Sequence, residues 1–365
     1  MNMNHALNSE STKKFLPQII SWNTTFKCNL KCDHCYINAH PNSENDELST
    51  EEGKKLIDQI VDVNKPILIL SGGEPLLRKD IFELAEYSVK KGLRTAMGTN
   101  GTLIDDKIAR KLRSVGVRKV AISLDSTVPE IHDEFRGVKG AWDAAVKGIN
   151  ACRENGVELQ INTTVTKQNY NEIGDIIALA QKLGATDFHL FFLVPTGRGV
   201  ALTDISPSDY ETMLRTVIKN RAKYKLEVKP TCAPQFMRIA KQMGVKSERW
   251  VRGCIAGISY CRIYPTGDVT PCPYIPIKVG NVRKESFQEI WFKSDVLNKL
   301  RDFKNLKGKC GICEYLEICG GCRARAYGLT TNYIDVCGGL QLPSSELKGD
   351  YLAEEPWCIY QPGRN

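Results

Sequence analysis

The chain has 365 residues, 42% of them hydrophobic and 25% charged, with a formal net charge of +8. That is the balance of an ordinary soluble globule, and no apolar run reaches the length of a membrane span. Lys and Arg are spread over predicted helices, as in Lys54-Lys55 and Lys90-Lys91, with no tract interleaved with aromatics. Nucleic acid is therefore not an expected partner, whereas a polycarboxylate would suit the sign of the charge.

In chain order, a polar tail covers residues 1–17, and Met1 to Lys14 lack the charged-then-apolar pattern of a secretory signal. A cytoplasmic protein is expected. Fourteen cysteines in such a chain argue for metal ligation, because the cytosol keeps thiols reduced. From 18 to about 225 short apolar runs alternate with longer amphipathic ones, the rhythm of βα units on a parallel sheet. Six strands are predicted: Ile19 to Thr24, Pro66 to Leu70, Arg94 to Gly98, Lys119 to Leu124, Glu158 to Val165 and Asp187 to Val194. Ser49-Thr50-Glu51-Glu52 starts one helix, and Lys79 to Lys91, Asp105 to Val115, Trp142 to Asn155, Asn171 to Leu183 and Ser206 to Lys223 read as others. The fold class is α/β, and six units fall short of a closed eight-fold barrel.

The first strand runs into Cys28-Asn29-Leu30-Lys31-Cys32-Asp33-His34-Cys35-Tyr36. Three thiolates leave a cubane iron-sulfur cluster one ligand short, so one iron stays open for a substrate or cofactor. Taken alone, the triplet also fits a zinc half-site, a redox pair or buried small hydrophobes. The second strand ends in Ser71-Gly72-Gly73-Glu74-Pro75, where glycines admit close backbone approach and an acid can take an ammonium.

The two motifs in this order resemble the radical S-adenosylmethionine (SAM) superfamily. That resemblance implies a partial (β/α)6 TIM-type barrel with its site at the C-terminal strand ends. It implies that Cys28, Cys32 and Cys35 hold a catalytic 4Fe-4S cluster whose open iron binds SAM, with His34 in the family's aromatic position and Tyr36 beside it. Gly72, Gly73 and Glu74 would hold the methionyl amine of SAM. Asn100, Ser123, Asp125, Arg136 and Asn162 follow at later strand ends as further SAM-pocket residues, and Leu193 and Val194 would pack on adenine.

After 225 the rhythm gives way to turns and an ordered cysteine series. Cys310-x2-Cys313-x5-Cys319-x2-Cys322, with Gly267 five residues before Cys272 and a late Cys358, resembles the SPASM/Twitch type of domain, which carries one or two auxiliary 4Fe-4S clusters. The usual SPASM run has three residues between its last two cysteines, and here there are two. By that resemblance Cys254, Cys261, Cys272 and Cys322 hold one cluster, and Cys310, Cys313, Cys319 and Cys358 the other. A zinc ribbon is the competing reading. Domains are thus expected at 18–225 and 226–365, with an inserted loop at 331–348 that contains Cys337.

Beyond this machinery, Val194 to Arg198, Thr231 to Phe236, Cys319 to Tyr327 and Gly349 to Cys358 resemble the tetrapyrrole-modifying branch, most of all haem synthases that decarboxylate Fe-coproporphyrin III. That implies an anionic iron tetrapyrrole substrate, with Arg198, Cys232, Arg238 and Arg252 on the substrate side. It also implies a low-potential electron donor such as flavodoxin or ferredoxin. A peptide maturase, a didecarboxysiroheme deacetylase and a haem d1 maturation enzyme are the alternatives.

Overall fold

The computed structural model describes residues 15–42, 46–202, 205–246, 248, 250–330 and 349–363. The expected loop at 331–348, with Cys337, lies outside them. Six strands form where alternation predicts them: β1 (Ile19–Asn23), β2 (Ile67–Ser71), β3 (Arg94–Thr99), β4 (Lys119–Ser123), β5 (Glu158–Val165) and β6 (Asp187–Phe192). Each pairs in parallel with the next. A helix returns the chain between successive strands, beginning with α1 (Thr50–Val63), which Ser49 and Glu52 open with a reciprocal capping box.

The parallel sheet does not stop at six strands. β7 (Glu227–Thr231) pairs with β6, and β8 (Tyr260–Ile263) pairs in parallel with β1 on the opposite side. With β9 (Asp268–Thr270) and β10 (Gly280–Asn281) this makes one ten-stranded sheet, ordered β10-β9-β8-β1-β2-β3-β4-β5-β6-β7. The boundary expected at 225 therefore falls just ahead of a barrel strand. Pro230 disguises β7 in the sequence, and the strand tolerates it because only one side is paired.

Successive side chains point to opposite faces. Ile20, Trp22, Leu68, Leu70, Met97, Val120, Ile122, Ile161, Phe188, Leu190 and Val228 are buried under the helices. Their alternates line the concave face, where Ser123, Asn162, His189 and Lys229 stand opposite one another as one cross-strand row. The C-terminal segment is bound to the barrel by β8 and by Arg283, whose guanidinium pairs with Glu52 at 2.7 Å and Asp46 at 2.6 Å.

Candidate active site

The loop after β1 holds the cysteine triplet against neighbours from three other strand ends. Leu30 N–H donates to Cys28 Sγ (3.4 Å), Ala39 N–H to Cys35 Sγ (3.4 Å) and Arg136 Nη1 to Cys32 Sγ (3.7 Å). Donors aimed at all three sulfurs suit cluster thiolates, whose potential such bonds tune. Burial pushes the Cys28 thiol up to about 12, so loading it with metal must release a proton. Arg198, expected at the substrate rim, instead braces this loop, donating to Cys32 O (2.8 Å) and Ala39 O (3.3 Å).

Arg136 is buried and joins Asp125 through Nε (2.7 Å) while it reaches Cys32. Burial alone would raise the Asp125 carboxyl, but the Arg136 guanidinium holds it below its ordinary range. His34 stacks on Phe135 with ring centres 4.4 Å apart, and burial lowers it to about 3, so it is neutral. Glu74 is fully buried, and both its oxygens accept from Thr99 Oγ1 (2.8 and 2.9 Å), with further bonds from Asn100 N–H and Leu76 N–H. This carboxylate locks the β2 loop to β3. A Cβ on Gly73 would meet Lys27 O at 2.3 Å, so the loop closes only with glycine there.

Asn100 donates to Asn29 Oδ1 (2.9 Å) and lies 4.0 Å from Cys28 Sγ. Ser123 and Asn162 share the concave row, and Leu193 and Val194 are buried just past β6. Tyr36 contributes its hydroxyl to Asn23 Oδ1 (3.2 Å), and Arg262 donates to both of these groups. Arg262 is 6% exposed, and among the described residues no carboxylate pairs with it. Its Nε and the nearby Asn23 Nδ2 are buried without partners. Sequence reading missed Arg262, His189 and Lys229. The polar alternates within β6, β7 and β8 were the available signal.

Further out, Cys310, Cys313, Cys319 and Cys358 line one small pocket together with Arg238 and Glu355. Glu355 N–H donates to Cys310 Sγ at 3.3 Å, and Arg323 lies 3.6 Å from the same sulfur. Arg238, expected to meet substrate, is buried under this cavity and bonded to Glu211 (3.1 Å). Arg252 stacks on Phe303 at 3.9 Å and donates to Cys254 O (3.0 Å), so it too is engaged internally. Cys261 departs from its expected place. It sits in the apolar core, in register with Ile20 on the helix-covered face, with no other cysteine among its charged neighbours. Cys254, Cys272 and Cys322 pack instead with Cys232.

The radical SAM superfamily model matches residues 22–180, and the model of the SPASM iron-sulfur cluster-binding domain matches 254–323. A Methanosarcina barkeri AdoMet-dependent heme synthase is 44% identical over 359 residues, covering 95% of this chain and 98% of that protein. The chain belongs to the radical SAM superfamily. A second AdoMet-dependent heme synthase, from Nitratidesulfovibrio vulgaris, is 42% identical, covering 95% of this chain and 93% of that one. The radical SAM fold is also that of Streptococcus suis SuiB bound to S-adenosylmethionine, at TM-score 0.72, 19% identity, and 94% and 78% coverage. No helix among the described residues is long and apolar enough to cross a membrane.

Proposed function

We propose that this chain is a cytoplasmic AdoMet-dependent haem synthase that oxidatively decarboxylates two propionates of Fe-coproporphyrin III to vinyls. The observation that carries this reading is the likeness to a heme synthase along both whole chains, through barrel and SPASM domain alike. Cys28, Cys32 and Cys35 would hold the catalytic 4Fe-4S cluster, and Cys310, Cys313, Cys319 and Cys358 would hold an auxiliary one. Together the cluster and SAM supply a 5'-deoxyadenosyl radical, able to take a hydrogen atom from an unactivated carbon.

For each vinyl, the propionate would give a β-hydrogen atom to the 5'-deoxyadenosyl radical, lose carbon dioxide, and pass the one remaining electron to an acceptor, a role an auxiliary cluster would serve. The protein must fix the carboxylate so that the β-carbon meets the radical, and it must keep water out. Arg262 suits the first of these roles, since a buried guanidinium without a carboxylate partner is costly until an anion completes it. Lys229, whose ammonium burial disfavours, stands on the same concave face and favours an anionic guest for the same reason. A flavodoxin or ferredoxin is the expected electron donor.

The test is anaerobic incubation with SAM, a low-potential reductant and Fe-coproporphyrin III. Haem is expected to form with two 5'-deoxyadenosine per haem. If 5'-deoxyadenosine accumulates and no haem appears, the substrate assignment fails while the radical chemistry stands.

A further inference from the structure

The cysteine that completes the inner auxiliary set is not the one the motif order suggests. We infer that Cys232, not Cys261, is the fourth cluster ligand beside Cys254, Cys272 and Cys322. The inference rests on the SPASM domain housing iron-sulfur clusters and is independent of the substrate.

Strand alternation disposes of Cys261 first. On β8, Cys261 is in register with Ile20 and Arg262 with Ser21, so the two side chains leave the sheet on opposite faces. Cys261 goes to the helix-covered side, fully buried within the main apolar core. No rotation of its side chain carries the sulfur through the sheet to the other cysteines. There it acts as a small hydrophobe.

Cys232 follows the last residue of β7, at the C-terminal strand ends where the barrel opens. It packs in one cluster with Cys254, Cys272, Cys322, Val194 and Tyr274. Three connections fasten it there. Arg325 donates to Cys232 O (3.2 Å) and Leu193 O (3.1 Å), tying the ends of β7 and β6 to the helix Arg323–Thr330 that follows Cys322. The Arg325 N–H in turn donates to Cys322 Sγ at 3.4 Å. Gly253 lies so close that a Cβ on it would meet Pro234 O at 2.6 Å, which presses the segment before Cys254 onto the one after Cys232.

The backbone of Cys232 carries a further mark. Its φ is +58°, one of two positive values at non-glycine residues among those described. A residue with a side chain is strained in the left-handed region, and such strain persists where the surrounding structure over-determines the geometry. Glycine would relieve it. The chain keeps a side chain at this position, and that side chain faces three other thiols.

The consequence is that the inner cluster is held jointly by the barrel and the SPASM domain. Its barrel-side ligand lies outside the span 254–323 that the SPASM model matches. Val194, at the end of β6, packs directly on the same group of thiols, which places this set next to the mouth of the barrel.

The test compares anaerobically reconstituted full-length protein with Cys232→Ala, Cys232→Ser and Cys261→Ala, by iron and sulfide per chain and by EPR of the reduced state. The parent should hold about twelve irons, four per cluster. Cys232→Ala should lose roughly four of them, or show a new three-iron signal, while Cys261→Ala keeps the parent's iron and spectrum. Cys232→Ser, with oxygen in place of sulfur, should retain iron and shift the EPR of one cluster. The SAM-dependent change in the EPR of the Cys28 cluster serves as the folding control. Should Cys232→Ala fail that control, Cys232→Ser decides by the same readouts. Parent-like iron and spectra in the Cys232 variants, or loss of a cluster in Cys261→Ala alone, would overturn the inference.

Discussion

Arg325 and Glu355 meet as an ion pair at 3.4 Å with neither side chain exposed. The pair lies between the two auxiliary cysteine sets and touches both. Glu355 takes the Cys322 N–H (2.6 Å) on one side and gives its own N–H to Cys310 Sγ on the other. Trp357 covers the guanidinium at 4.0 Å.

Glu355→Ala should therefore damage the Cys322 set, since the side chain is lost there while the backbone N–H to Cys310 Sγ survives the substitution. Removing one partner of a buried pair strands the other charge, at a cost of about 3–5 kcal/mol. The expected result is a lower unfolding temperature together with a loss of auxiliary iron. Parent-like auxiliary iron in this variant would show that the pair does not position the cysteines.

Arg262→Met tests the substrate grip. The variant keeps an unbranched apolar stem and removes the charge, so a carboxylate would lose its partner in a desolvated site. Affinity for Fe-coproporphyrin III, followed by its absorbance, should weaken by about 30-fold or more, the equivalent of roughly 2 kcal/mol. An unchanged dissociation constant would remove Arg262 from the binding site.

Acid should destabilise the protein well above the usual carboxylate range. Burial lowers His34 and His189 to about 3 and His132 to about 4, against an ordinary 6.5. The unfolded chain then takes up protons below about 6.5 that the folded chain refuses. Stability from this source is complete above that value and is lost as pH falls towards 4, by about 1.4 kcal/mol per pH unit for each histidine. Unfolding temperatures between pH 7.5 and 5.0 check the slope, and His189→Gln should make it shallower. Equal slopes in the two proteins would count against a buried neutral His189.

Much of the barrel was legible, because hydrophobic alternation and helix-start signals are local. The six expected strands appear within a residue or two of their predicted bounds. β7 was not, since Glu-Val-Lys-Pro-Thr carries two charges and a proline and becomes a strand only because β6 offers an edge. The cysteine triplet and the Gly-Gly-Glu-Pro turn were equally readable, as their spacing is itself the chemistry. Glu74 was readable as a site residue but not in its orientation, which Thr99 and Asn100 set from the next strand.

The sequence by itself determined the class of protein: which motifs are present, their order, and the strand ends they occupy. Only the tertiary structure decided which side chains share a space. Cys232 and Cys254 are 22 residues apart, and Cys261 lies closer to Cys254 in sequence than Cys232 does. Yet a strand's two faces separate Cys261 from the group, and the return of β7 to the barrel mouth brings Cys232 into it. Arg198, Arg238 and Arg252 likewise look like free cations along the chain, and each proves to be engaged within the protein. Burial decides this, because a guanidinium removed from water must find acceptors wherever the fold supplies them, and sequence distance does not report where that is.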